Sequence, residues 1–194
     1  ELPESGFYTD PFTVSLTSDS LSVARCELGG KLPTETSPVV TTLDISQTTV
    51  LRCATFRTGA LPSDVSTRTY IFESAPSIAT AFITADPNSL FDPDSGIYEE
   101  GPNASPEEPH YGANYWLDKT IPAEITFFEP SAQTPAFSKT VGYEIFGNYS
   151  RTNAKKSFAL KFRKRYGDSE LEYKIFPEFP NLTVFKDLVF RNNG

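Results

Sequence analysis

The chain predicts a mainly β protein, and three observations carry that prediction. Sixteen Pro and eleven Gly interrupt its 194 residues at short intervals. Sixteen Phe, nine Tyr and many Thr favour pleated, half-buried surfaces. No long run of Ala, Leu, Glu and Lys follows the helical period. A hydrophobic content of 38% is enough to fill the cores of one large or two small domains. No stretch approaches the roughly eighteen apolar residues of a membrane helix, so no membrane span is expected. The chain starts at Glu1 with neither an initiator Met nor a signal-peptide pattern, which is expected of a piece of a longer protein.

Residues 6–72 read as short strands divided by turn chemistry. Phe12, Val14 and Leu16 alternate with polar neighbours, residues 21–28 follow, Leu43 and Ile45 alternate, and residues 49–56 and 67–72 complete the series. Gly29-Gly30, Pro33, Pro38, Gly59 and Pro62 mark the turns between them. That spacing predicts a small β-sandwich.

Cys26 and Cys53 each fall in one of these runs. With Ala24 and Cys26 inward on one strand, and Leu51, Cys53 and Thr55 inward on another, the two sulfurs meet across neighbouring strands. A bridge there would stabilise the domain by roughly 3 kcal/mol and imply an oxidising compartment. The competing reading is two buried thiols acting as small hydrophobes.

The runs GFYTDPFTVSLTS, GGKLPT and SQTTVLRCATFRTGALPSDVSTRTYIF resemble the small fibronectin-like domain at the C-terminus of chitobiases and β-hexosaminidases. That family usually has an aromatic residue where Cys26 stands and often an Asp where Gly29 stands. The resemblance covers about seventy residues and implies an extracellular accessory module.

Pro76, next to Ser74 and Ala75, ends the strand pattern and sets the expected boundary, with residues 1–74 as the first domain and 75–194 as the second. Residues 78–83 restart an apolar run, residues 101–122 are proline-rich and irregular, and strand-like segments resume at 123–128, 141–146, 157–165 and 185–190. Charge is unevenly placed. The net charge of -8 argues against nucleic-acid binding. Ten acidic residues and one basic residue, Lys119, lie between Asp86 and Glu129, whereas seven of the seventeen basic residues lie between Arg151 and Arg165. Solvated faces and a basic polyanion site are the competing readings.

The second part resembles the CotH family, spore-coat and surface proteins with an atypical kinase-like fold. The matching pieces, in order over about 110 residues, are SLFDPDSGIYEEG, NYWLDKTIPAEITFFEP, the strand opening at Phe137-Ser138 and running into VGYEIFGNYSRTNAKKSFALKFRKRYG, and FKDLVFRNNG. The resemblance implies a β-rich α+β domain similar to part of a kinase N-lobe. Phosphoryl transfer needs a cation against the phosphates, acids for Mg²⁺ and a residue to position the nucleophile. On the basic strand, alternation sets Phe158, Leu160 and Phe162 on a buried face and Ser157, Lys161, Arg163 and Arg165 on the other. By resemblance, Lys156 is the phosphate-contacting lysine, with Lys155 and Arg151 as helpers. The competing reading is a solvated basic hairpin. The resemblance covers only the N-terminal portion of the family pattern, and the acids that hold metal there are expected after residue 194. No cofactor and no kinase turnover are therefore expected of this chain alone, whereas a full-length relative would use ATP and Mg²⁺.

Weaker constellations remain. Asp92, Asp94 and Gly96, followed by Glu99 and Glu100, have part of a calcium-loop pattern, against the simpler reading of an Asp-Pro turn. Asp168, Glu170 and Glu172 read as surface acids. Tyr111, Tyr115 and Trp116 could stack on a sugar or anchor their own loop. His110, the sole histidine, reads as a loop side chain. Asn103, Asn148 and Asn181 lie in Asn-x-Ser/Thr sequons. The expected function is a structural or interaction module of an extracellular or surface-associated protein. The alternatives are a polysaccharide-binding accessory module and a cell-surface adhesin, with a protein or cell-surface polysaccharide as partner.

Overall fold

The computed structural model of the chain describes residues 2–192. Its strands are β1 (Gly6–Phe7), β2 (Phe12–Ser15), β3 (Val23–Leu28), β4 (Thr42–Ile45), β5 (Thr49–Phe56), β6 (Ser66–Ile71), β7 (Thr80–Ala85), β8 (Thr120–Phe128), β9 (Phe137–Phe146), β10 (Ser157–Lys161), β11 (Leu171–Glu172), β12 (Val184–Phe185) and β13 (Asp187–Phe190). One short helix, α1 (Pro87–Phe91), follows β7, and 3-10 turns occupy Asn114–Trp116, Tyr149–Thr152 and Lys164–Tyr166. The protein is mainly β, as its composition predicts. The chain divides into two compact units, one made of Glu1–Thr84 with Ile125–Ser138 and the other of Ala85–Glu124 with Lys139–Gly194.

The first unit is a sandwich. One sheet has the order β1-β6-β5-β3 and the other pairs β2 with β4. Alternation puts Val14 and Ile45 of the small sheet inward, where they meet Cys26, Leu51, Cys53 and Tyr70 of the large one. Antiparallel register sets Cys26 directly opposite Cys53, and the two form a disulfide with Cα atoms 4.2 Å apart. Thr55, expected inward, is exposed instead. β6 pairs with β5 only from Thr49 to Cys53, and beyond that point Thr55 exchanges hydrogen bonds with Ser63, through the Ser63 hydroxyl and backbone N–H. A second cluster joins Phe7, Ile71 and Phe128. There the Phe128 ring meets Phe7 at 4.9 Å and Phe82 at 5.7 Å, both edge to face.

A five-stranded sheet has the order β13-β10-β9-β8-β7. In the second unit β10 lies between β9 and β13 and is antiparallel to both. Its flanking strands explain its burial: Ala159 and Leu160 are almost wholly covered. Phe158 stacks on Tyr143 at 4.7 Å and on Phe190 at 4.9 Å, forming a ring ladder across three strands. The basic strand expected over 157–165 stops at Lys161. Phe162 still donates its N–H to the Lys186 carbonyl, but the chain then coils into the 3-10 turn and leaves it at Gly167, with φ of 128°. Lys161, expected on an open cationic face, donates to the Glu144 carboxylate at 2.6 Å, and Thr120 donates to the same oxygen at 2.6 Å. Burial by itself works against charge on Glu144, and the bonds from Lys161 and Thr120 overcome it, holding the carboxyl below its usual range.

Candidate functional site

Three loop segments of the second unit converge on one pocket. The first begins at α1, which Asp86 caps by accepting from the Asn88 N–H at 2.9 Å while Pro87 opens the helix. After the helix, the Asp92 carboxylate accepts from the N–H of Asp94 and from both the N–H and the hydroxyl of Ser95. The Ser95 hydroxyl first, and these N–H groups with it, hold the Asp92 carboxyl below its ordinary range. This is the Asp-Pro turn of the simpler sequence reading, with the aspartate folded onto its own backbone. Among the described residues no three His, Cys, Asp or Glu side chains converge as metal ligands.

Asn114 holds the next segment in place. Buried, it donates from its side-chain amide to the carbonyls of Asp94 and Gly96, each at 3.1 Å, while its backbone N–H reaches the Glu100 carbonyl at 2.9 Å. Gly101 takes φ of 69°, and a Cβ there would lie 2.5 Å from the Asn114 amide, so both conformation and space call for glycine. Across the pocket, Trp116 donates its indole N–H to the Pro109 carbonyl at 3.0 Å. His110 donates from Nδ1 to the Ser105 carbonyl at 2.9 Å, since a carbonyl only accepts, and its Nε2 lies 3.9 Å from Glu100.

The third segment carries the cations that the sequence singles out. Arg151 donates from Nε to the Gly147 carbonyl at 2.7 Å and from Nη1 to the carbonyls of Tyr115, Trp116 and Leu117, and its Nη2 meets Asp118 at 2.9 Å. Lys156 is 9% exposed and donates from Nζ to the carbonyls of Arg151 at 2.6 Å and Asn153 at 3.2 Å. The same ammonium sits 4.3 Å from the centroid of the Tyr115 ring. Desolvation pushes the Lys156 pKa down, against the nearby charge of Glu99. Lys155 is exposed, and its carbonyl accepts from the Asn192 side chain.

The structure thus brings Lys156, Arg151 and Tyr115 together, uniting the phosphate and sugar candidates at one place, while Lys155 stands apart on the surface. Both cations, Lys156 buried and Arg151 half-buried, are held by backbone carbonyls of their own unit. The three aromatic residues are neighbours, with Trp116 5.3 Å from Tyr111 and 6.1 Å from Tyr115, but their planes are tilted by 39° and 48°. They share no flat face. Tyr115 is buried, Trp116 is half-buried and Tyr111 is 62% exposed, so Tyr111 offers the most open of the three rings.

The pocket has a volume of about 640 Å³. Glu99, Glu100 and Glu108 line it opposite one lysine, with Tyr98, His110 and Thr152 beside them. The Tyr98 hydroxyl is hydrogen-bonded to that of Tyr143, whose pKa burial pushes far up. Motif reading did not gather Glu108, Tyr98 and Thr152 with Lys156; the acidic run from Asp86 to Glu129 was the available signal, and its folding back onto the lysine was not visible in it. The FKDLVFRNNG segment takes in the last residue of β12 and all of β13, its last two residues lying outside the described ones. Among the described residues no helix is long and apolar enough to cross a membrane. Comparison with family models, curated proteins and solved structures gives no match for this chain.

Proposed function

We propose that the chain is a non-catalytic structural and interaction module of an extracellular or surface-associated protein, its second unit resembling the N-terminal portion of a CotH-like region. The observation that carries this reading is the internal capture of its cations. Lys156 and Arg151 give their donors to carbonyls that shape the loop, and three carboxylates line the pocket beside them. A phosphate entering there would face net negative charge and would have to displace hydrogen bonds that already exist. The cross-strand disulfide supports the extracellular setting.

The test is to incubate the chain with ATP and Mg²⁺ and follow both phosphate transfer and nucleotide binding. No transfer and no saturable binding are expected, whereas Lys156→Met lowers the unfolding midpoint. Clear turnover would overturn the proposal.

A second reading, a polysaccharide-binding accessory module, draws on the exposed Tyr111 ring packed on Trp116. Retention on chitin or cellulose that Tyr111→Ala removes would favour it. Trp116→Ala is the harsher variant, because the indole also holds the Pro109 carbonyl.

A further inference from the structure

We propose that Asn181 is a site of N-linked glycosylation, and that the first N-acetylglucosamine attached there covers the open ring of Phe179. This goes beyond the interaction-module reading and rests on the extracellular setting it shares with that reading. Asn181-Leu182-Thr183 is an Asn-x-Thr acceptor sequence whose middle residue is not proline. It lies in the connection between the antiparallel strands β11 and β12, where Tyr173 donates its N–H to the Thr183 carbonyl at 2.8 Å and closes the base of the loop. Asn181 and Thr183 are both exposed, so the fold covers neither the residue that carries the sugar nor the one whose hydroxyl the transferase reads. The sequons at Asn103 and Asn148 differ. Their serines, Ser105 and Ser150, are half-buried, and the Ser105 hydroxyl already accepts from the Glu107 N–H at 3.3 Å.

A second observation, the turn that carries Asn181, points to the sugar itself. Leu182 donates its N–H to the Phe179 carbonyl at 2.9 Å, which makes Phe179, Pro180 and Asn181 the first three residues of a β-turn. Proline with its fixed φ suits the second position, and asparagine suits the third. Phe179 is 62% exposed, the most exposed phenylalanine among the described residues, whereas Phe176 of the same loop meets Phe185 edge to face at 5.7 Å. The ends of such a turn lie within about 7 Å of each other, so a pyranose bonded to its third residue reaches the ring of its first. One face of that pyranose presents C–H groups, and an aromatic ring is an apolar platform for them. The bond is made by group transfer during secretion. The Asn181 side-chain nitrogen attacks the anomeric carbon of a lipid-linked oligosaccharide diphosphate; the carbon–nitrogen bond forms as the carbon–oxygen bond breaks, the amide proton passes to a base of the transferase, and the lipid diphosphate leaves.

The experiment secretes the intact chain from a eukaryotic host and maps its glycopeptides by mass spectrometry. Asn181 should be occupied, to a greater extent than Asn103 or Asn148, and the modification should be lost in Asn181→Gln and in Thr183→Ala. The purified glycosylated chain should melt about 3 °C above the Asn181→Gln variant. That gain should vanish when the glycosylated form of Phe179→Ala is compared with the variant carrying both Phe179→Ala and Asn181→Gln. A secreted chain with its disulfide formed and Asn181 unmodified would overturn the proposal while leaving the extracellular reading in place. A thermal gain that survives Phe179→Ala would overturn it too, since the sugar then does not rest on the ring. Retention of the chain inside the cell with both cysteines reduced would bring down the proposal and the extracellular reading together.

Discussion

In the first unit, two sheets close on a shared interior of Val14, Ile45, Leu51 and Tyr70, and a covalent bond ties the neighbouring strands β3 and β5 of one sheet. In the second, β10 and its partners form a comparable ring-laddered sheet, but the pocket beside it is built from irregular segments whose backbone carbonyls are taken up by Asn114, Trp116, Lys119, Arg151 and Lys156. Arg25, Arg52 and Arg68 do the same in the first unit, and the carbonyls they reach, of Ser37, Gly30 and Pro3, likewise lie outside its strands. The difference teaches that strand pairing satisfies its own backbone, whereas a long proline-rich loop needs side chains to do so. Charged residues that look functional in sequence are then drawn into structural service.

The sharpest way to break this comparison is to remove the bridge. Replacing Cys26 and Cys53 by Ala, across a separation of 27 residues, should destabilise the first unit by about 3.5 kcal/mol. Trp116, the only tryptophan, reports on the second unit. A smaller shift in its fluorescence transition than in far-UV circular dichroism is expected; equal shifts would mean that one cooperative transition governs both.

Next in size is Asn114→Ala. It leaves two loop carbonyls without their donor and should cost about 2 kcal/mol, read in a urea titration through Trp116 emission. A loss below a few tenths of that would show that water replaces the amide and that carbonyl capture does not hold the loop.

The smallest effect concerns Glu144. Its folded pKa lies below the ordinary 4.5, so its contribution is present above that value and is lost as pH falls through the folded pKa. Glu144→Gln should flatten the acid limb of the stability profile, by about 1 kcal/mol between neutral pH and the acid end. An unchanged acid limb would remove the Lys161 pairing from the account.

Part of the first unit was legible because β2, β3 and β4 alternate between covered and open positions, whereas β5, buried on both faces from Leu51 to Ala54, does not. Residues 49–56 form β5 with the expected bounds, and Cys26 and Cys53, read as inward on two strands, prove to lie opposite each other on neighbouring strands of one sheet. Two-residue strands such as β1 and β11 have no period to read. The end of β10 was hidden because Arg163 and Arg165 extend the alternation in sequence while Gly167 turns the backbone away. The pocket was the least legible part. Asn114 acts on carbonyls eighteen and twenty residues before it, and Arg151 on carbonyls at least thirty-four residues before it, through backbone atoms that every residue shares. No side-chain motif encodes such contacts, so the residue types were visible and their partners were not.

The Cys26–Cys53 bridge has a mechanical corollary. A chain pulled from its two ends transmits the load through the sulfur–sulfur bond, and the 27 residue steps it closes are withheld from extension. At about 3.4 Å per step, roughly 90 Å of slack stays locked until a reductant arrives.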